Sequence, residues 1–159
     1  MLLTIEKVAI LRKVAIFAAT PDHVLASVAQ IATEETFEPG QLIMREGDFG
    51  DFMYIVVDGQ VRVHKDEQTI VLLDAGASVG ELAVLDPEPR SASVTATTGT
   101  MLFRIDKEPF DEVMADRPEI AQGVLRALCD RIRAQGQTLS SGLHTSADMT
   151  PSATPEPLA

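Results

Sequence analysis

From position 35 to 106 the helical spacing gives way to a period of two, in short apolar and β-branched runs separated by turn residues. A period of two puts alternate side chains on opposite faces of an extended strand, whereas a helix would need spacings of three and four. Residues 36–37, 41–45, 52–57, 60–65, 69–73, 93–97 and 100–105 read as strands. They are punctuated by Pro39-Gly40, Glu46-Gly47-Asp48, Gly76 and Gly99. Asp58-Gly59 is a two-residue hairpin signal between two of these runs. Short strands at regular spacing, without long helical crossovers, predict an antiparallel sandwich or barrel and exclude parallel α/β units.

Helical spacing flanks this block. Ile5, Val8 and Leu11 predict a helix over 4–13 with Thr4 as its N-cap, and Thr20-Pro21-Asp22 opens a second helix over 20–32. After the strands, residues 107–114 and 118–135 return to helical spacing, with Ile120, Val124, Leu128 and Ile132 about four apart on one face. Gly123 weakens that last helix and predicts a bend or fraying, and Gly136 is its expected stop. The class is α+β: one domain over 1–136, with an antiparallel block over 35–106 and closing helices over 107–135. Residues 137–159, rich in Ser, Thr, Pro and Ala, are expected to form a disordered tail.

A chain of 159 residues with 45% apolar content suits one domain with its own core. The formal net charge of -11 argues against a nucleic-acid surface, so DNA is not an expected partner. The apolar N-terminal stretches are interrupted by Glu6, Lys7, Arg12 and Lys13, a poor signal peptide. No run approaches the ~20 apolar residues of a membrane span, so the expectation is a cytoplasmic protein without membrane insertion. The single Cys129 excludes an internal disulfide, and its place near Leu125, Leu128 and Ile132 predicts a buried, inert thiol.

One short helical break, Gly80 to Leu85, interrupts the strands, followed by the turn Asp86-Pro87-Glu88-Pro89 and then Arg90. Gly80 permits close backbone approach, and the first turn after it leaves N–H groups open to an anion. Arg90 offers a planar fork suited to two phosphate oxygens. Glu81 would repel a bare phosphate unless its carboxylate accepts hydrogen bonds from an attached group, and a ribose hydroxyl is such a donor. Phosphate and ribose held close together point to a compact nucleotide.

Gly80-Glu81-Leu82-Ala83 and Pro89-Arg90-Ser91-Ala92-Ser93-Val94, with Glu81 and Arg90 nine positions apart, resemble the phosphate-binding cassette of the cyclic nucleotide-binding domain family. The resemblance covers residues ~14 to 135 and includes Glu46-Gly47-Asp48 and Asp58-Gly59-Gln60-Val61, to which only a fold role is given. It implies a β-roll, a jelly-roll-like barrel, with N-terminal helices, a phosphate-binding helix and C-terminal lid helices. It puts Arg90 on the exocyclic phosphate oxygens of a 3′,5′-cyclic nucleotide and Glu81 on the ribose 2′-hydroxyl. Backbone groups of Gly80, Leu82, Ala83, Ala92 and Ser93 complete the contacts. Ser91 tilts the expected ligand to cAMP over cGMP. Cys129-Asp130-Arg131-Ile132 resembles the stretch that covers the base, which makes Leu128, Arg131 and Ile132 lid candidates.

Catalysis is not expected. His23, His64 and His144 are scattered over different elements, so neither a metal hydrolase nor a metal cupin is assembled from them. Three departures from the family pattern stand out: Val79 in place of a common aromatic is a modest packing change, Asp86 and Glu88 beside the phosphate turn should weaken anion binding, and a final helix without aromatic residues leaves base capping to aliphatic side chains. The expected function is a cyclic-nucleotide sensor that signals by movement of its last helices, to an effector chain or to a homodimer partner through the C-terminal helix. The alternative is a protein-interaction module of the same fold that does not respond to nucleotide.

Overall fold

The computed structural model describes residues 1–149. Helix α1 (Thr4–Leu11) takes Thr4 as its first helical residue, so the cap is Leu3, whose N–H donates to Glu6 Oε1 at 3.0 Å. An acid at the third helical position thus accepts from the cap residue's own N–H, the half of a capping box that needs no hydroxyl. The connector that follows folds into a 3₁₀ helix, Ala15–Phe17, burying Ile16 and Phe17. Helix α2 (Asp22–Ile31) is capped by the Pro21 carbonyl, which accepts from the Val24 and Leu25 N–H groups at 3.0 Å each. Thr20 is therefore not the cap. It is buried, and its Oγ1 lacks a hydrogen-bond partner among the described residues.

Among the described residues ten strands follow: β1 (Thr33–Phe37), β2 (Leu42–Met44), β3 (Phe49–Gly50), β4 (Phe52–Asp58), β5 (Gln60–Lys65), β6 (Gln68–Asp74), β7 (Ser78–Val79), β8 (Glu88–Pro89), β9 (Ser93–Ala96) and β10 (Thr100–Asp106). They form two four-stranded antiparallel sheets, ordered β1-β10-β4-β7 and β2-β9-β5-β6, and a β3-β8 ribbon. This is the antiparallel roll of an α+β protein, built from separate sheets rather than one closed hydrogen-bonded barrel.

Asp58-Gly59 does not close a hairpin, because β4 and β5 lie in different sheets. Gly59, at φ 100°, carries the chain from one sheet to the other, and a Cβ there would stand 2.5 Å from the Gly99 carbonyl oxygen. The glycine of an Asp-Gly pair supplies the positive φ that this reversal uses, whichever sheet receives the next strand. The hairpin is β5-β6, where Lys65 pairs with Gln68 around Asp66 and Glu67, with Asp66 at φ 51°.

The period of two divides the apolar residues between two cores. On β4, Met53 and Ile55 face the helices, while Tyr54 and Val56 face the inside of the roll. On β10, Phe103 and Ile105 join the helical core, and Leu102 joins the other. The helical core gathers Leu11, Phe17, Leu25, Phe110 and Ile120, with Phe17 and Phe110 edge to face at 6.0 Å. Each such fully buried side chain contributes about 1.5–3 kcal/mol of transfer free energy.

Helix α3 (Lys107–Asp116) leads into α4 (Pro118–Met149), which continues through the expected stop at Gly136. Gly136 is not among the glycines in the left-handed region. A glycine costs a helix about 1 kcal/mol but ends it only when the chain turns left-handed there. Residues 150–159 of the expected tail lie outside the described residues. Ile120 and Val124 are buried and Leu128 half-buried, yet Ile132 is 67% exposed. At 100° per residue, steps of four drift, carrying Ile132 about 120° round from Ile120 and Cys129 about 180° round. Cys129 is accordingly exposed, against expectation. The helix does not fray at Gly123, and a Cβ there would overlap Thr20 Oγ1, so the glycine lets α4 pack directly on the Thr20 turn. Among the described residues, no helix is long and apolar enough to cross a membrane.

Candidate functional site

Gly80 sits at φ 73°, in the left-handed region that favours glycine, and delivers the chain into a 3₁₀ helix, Glu81–Val84. The Ala83 N–H closes the turn on the Gly80 carbonyl at 3.0 Å. Ala83 and Val84 are buried and fix the turn to the body, leaving Leu82 54% exposed. Lys107 Nζ, at the start of α3, donates to the Val84 and Leu85 carbonyls at 3.5 and 3.4 Å. A cation at this end satisfies carbonyls that the short helix leaves open.

Arg90 is only 8% exposed. Its backbone is clamped by the turn before β3: the Arg90 N–H donates to the Asp48 carbonyl at 2.8 Å, and the Gly47 N–H donates to the Arg90 carbonyl at 2.9 Å. Its guanidinium donates to the Phe52 carbonyl at 2.5 Å and lies 4.6 Å from the Phe52 ring centre. A Cβ on Gly50 or on Gly80 would overlap this guanidinium, so both glycines make room for it. Burial lowers the Arg90 pKa from its ordinary value, opposed by the neighbouring Tyr54 and Asp51. An arginine so placed stays charged and is costly to leave without an anion.

Glu81 is held differently. Its Oε1 accepts from an Arg131 guanidinium nitrogen at 3.1 Å, and its Oε2 accepts from Ser78 Oγ at 3.3 Å. Arg131 belongs to α4, fifty positions away. Between the two arms lies a cavity of about 290 Å³, lined by Gly80, Glu81, Leu82, Ala83, Arg90 and Ser91 together with Asp86, Glu88 and Pro89. That is near the lower end of the ~300–1,000 Å³ usual for small-molecule sites.

Six of the eight expected binding residues thus line one cavity. Ala92 and Ser93 do not line it, and the Ser93 hydroxyl accepts from the Glu46 N–H at 2.9 Å. Of the lid candidates, Arg131 reaches the site, Leu128 packs on the helical core and Ile132 points to solvent. Sequence reasoning missed Gly47, Asp48, Gly50, Phe52 and Ser78 as supports of the site. Glu46-Gly47-Asp48 did stand out as a turn. Backbone carbonyls and close approaches leave no mark in residue type that would have tied it to Arg90.

The chain matches the cyclic nucleotide-binding domain profile over residues 34–117. A CRP-like cAMP-activated global transcriptional regulator of Mycobacterium tuberculosis is 28% identical over 141 residues, 86% of this chain and 63% of that protein. A cGMP-dependent protein kinase of Toxoplasma gondii is 42% identical over 82 residues, 52% of this chain and 8% of that protein. The chain therefore spans less than two thirds of the length of these relatives. The crystal structure of the N-terminal domain of a transcriptional regulator from Streptomyces coelicolor A3(2) superposes with a TM-score of 0.75 at 31% identity, covering 82% of this chain and 94% of that one. With the profile spanning more than half of its length and the cassette built around one cavity, the chain belongs to the cyclic nucleotide-binding domain family.

Proposed function

We propose that the chain is a regulatory module that binds a 3′,5′-cyclic nucleotide, cAMP in preference to cGMP, and signals through α4. The observation that carries this reading is the convergence of buried Arg90 and Glu81 on one cavity, with Glu81 bonded to α4 through Arg131. Arg90 takes the exocyclic phosphate oxygens, relieving the cost of a buried unpaired charge. Glu81 accepts from the ribose 2′-hydroxyl, and that competes with its bond to Arg131. A ligand that changes the partner of Glu81 shifts the populations of α4 by its differential affinity for the two arrangements. The output passes to an effector chain or a second copy, and the exposed Leu125 and Ile132 on α4 provide an apolar face for it.

Calorimetric titration with cAMP and with cGMP, beside Arg90→Ala, tests the reading. Micromolar binding lost in the variant supports it, and the tighter ligand identifies the purine. The absence of heat and of thermal stabilisation at millimolar nucleotide overturns it. The second reading, a protein-interaction module without nucleotide response, is favoured by one feature: Asp86 and Glu88 line the same cavity and oppose an anion. Under the sensor reading, Asp86→Asn with Glu88→Gln tightens binding, most at low salt. An unchanged affinity would show that the two acids are too well solvated to matter.

A further inference from the structure

We propose that Phe52 is a positioning residue for Arg90, an inference that rests on the cyclic-nucleotide reading of this site. Phe52 touches Arg90 twice: its carbonyl accepts from the guanidinium, and its ring lies 4.6 Å from the guanidinium carbon. The carbonyl belongs to any residue at this position, but the ring does not. Arg90 and Phe52 also line a second cavity, of about 330 Å³, with Leu42, Met44, Asp48 and Phe49. A guanidinium without the ring beside it has room to turn toward that cavity and away from the cassette.

The ring is itself fixed. The Arg104 guanidinium lies 3.8 Å from its centre and is anchored by Asp106 at 2.9 Å and Glu35 at 4.0 Å. Tyr54 packs edge-on against the ring at 5.5 Å, and its hydroxyl donates to Glu35 Oε1 at 2.9 Å. The carboxylates of Asp106 and Glu35 partly offset this second cation, whose charge still acts with burial to disfavour the Arg90 cation. A ring face attracts a guanidinium placed over it and occupies the space the fork would need to turn into. It therefore restricts where the fork can aim while the Phe52 carbonyl holds one of its donors.

The test uses the full chain with Phe52→Leu and Phe52→Tyr, read in two ways. The first is the Arg90 Nε–H resonance in the ligand-free protein, assigned by its loss in Arg90→Lys. The second is calorimetric affinity for cAMP and cGMP. In the wild type the ring current displaces the Arg90 resonance from those of exposed Arg12 and Arg133. Phe52→Leu returns it toward them and weakens nucleotide binding by about threefold to thirtyfold, the range of one cation–ring contact. Phe52→Tyr retains both signals. An unmoved resonance in Phe52→Leu overturns the proposal, as does a moved resonance with unchanged affinity. If the wild type binds neither nucleotide, the cyclic-nucleotide reading falls, and with it any role of Phe52 in affinity. The resonance then reports separately whether the ring orders Arg90.

Discussion

The two charged arms of the site are held by opposite means. Arg90 is nearly buried, its backbone is clamped at both N–H and carbonyl, and its side chain meets a carbonyl, a ring and two glycines. Glu81 is fixed by one partly exposed ion pair to a distant helix and one long hydroxyl contact. The first arm is preorganised, so a phosphate can meet it with little ordering cost. The second arm is exchangeable, because a partly exposed ion pair is worth only about 0.2–1 kcal/mol and can be replaced by a ligand hydroxyl. A sensor needs both: rigidity where affinity is generated and a weak, replaceable bond where the signal leaves.

The largest expected effect comes from disturbing the rigid arm without touching its charge. Gly50→Ala places a Cβ against the Arg90 guanidinium, and Gly50 is not in the left-handed region, so the backbone accepts alanine. The arginine must move, because the atoms nearest that Cβ are those of its guanidinium. Titration should show affinity reduced about tenfold to hundredfold, the worth of one misplaced charged hydrogen bond. Retention of wild-type affinity would mean that Arg90 is as adaptable as Glu81, and the contrast between the arms would collapse.

How firmly α4 is seated decides whether the Glu81 arm is loose or merely thin. Gly123→Ala should gain about 1 kcal/mol if helix propensity alone governed the position. The added Cβ instead overlaps Thr20 Oγ1 and comes within 3.4 Å of the Thr20 N, part of the backbone. Overpacking of this kind costs about 1–3 kcal/mol, so thermal unfolding should show a net loss. Adding Thr20→Ala removes the overlapping hydroxyl, whose buried oxygen is itself without a partner among the described residues, and should recover most of it. A stabilised Gly123→Ala would show that α4 is not docked on this turn.

The same contrast explains what could be read before the structure. Elements whose signal is periodic, the strands β1, β2, β4, β5, β6, β9 and β10 and the buried Val24, Leu25 and Val28 stripe, lie where the period of two and helical spacing put them, whereas the two-residue β3, β7 and β8 were not foreseen. The cassette residues were legible because residue type itself carries their chemistry: a glycine, a carboxylate and a guanidinium at fixed spacing. What stayed hidden depends on geometry between distant segments. Asp58-Gly59 specifies a reversal but not which sheet takes the next strand. Cys129 looked buried because spacings of four were counted without their drift around α4. Phe52 supports Arg90 through a carbonyl that every residue has and a ring that reads as ordinary packing.

A smaller effect is expected at the exchangeable arm. Arg131→Ala removes a partly exposed ion pair, so affinity should change by no more than about fivefold. Hydrogen exchange of ligand-free α4 around residue 131 should accelerate by a similar factor. A hundredfold loss of affinity would place Glu81 among the rigid elements and reverse the comparison.

The smallest effect concerns the support behind the rigid arm. The Tyr54 hydroxyl is pushed up to about 12 from 10.0, first by burial and then by its hydrogen bond to the Glu35 carboxylate. A phenol whose folded value is raised contributes stability that is complete below its unfolded value and is lost as pH rises through the folded one. The window is therefore pH 10 to 12, where ionised Tyr54 would face the Glu35 carboxylate. Denaturant titrations should show Tyr54→Phe less stable than the wild type by about 1 kcal/mol near neutral pH, the value of one hydrogen bond. That difference should hold up to about pH 10 and shrink toward pH 12, since phenylalanine has no proton to lose. A difference that stays constant through the window would mean that Tyr54 ionises as freely folded as unfolded. The Glu35, Tyr54 and Arg104 network would then be too well hydrated to brace the Phe52 ring, and the rigidity of the Arg90 arm would rest on the β3 turn and its glycines alone.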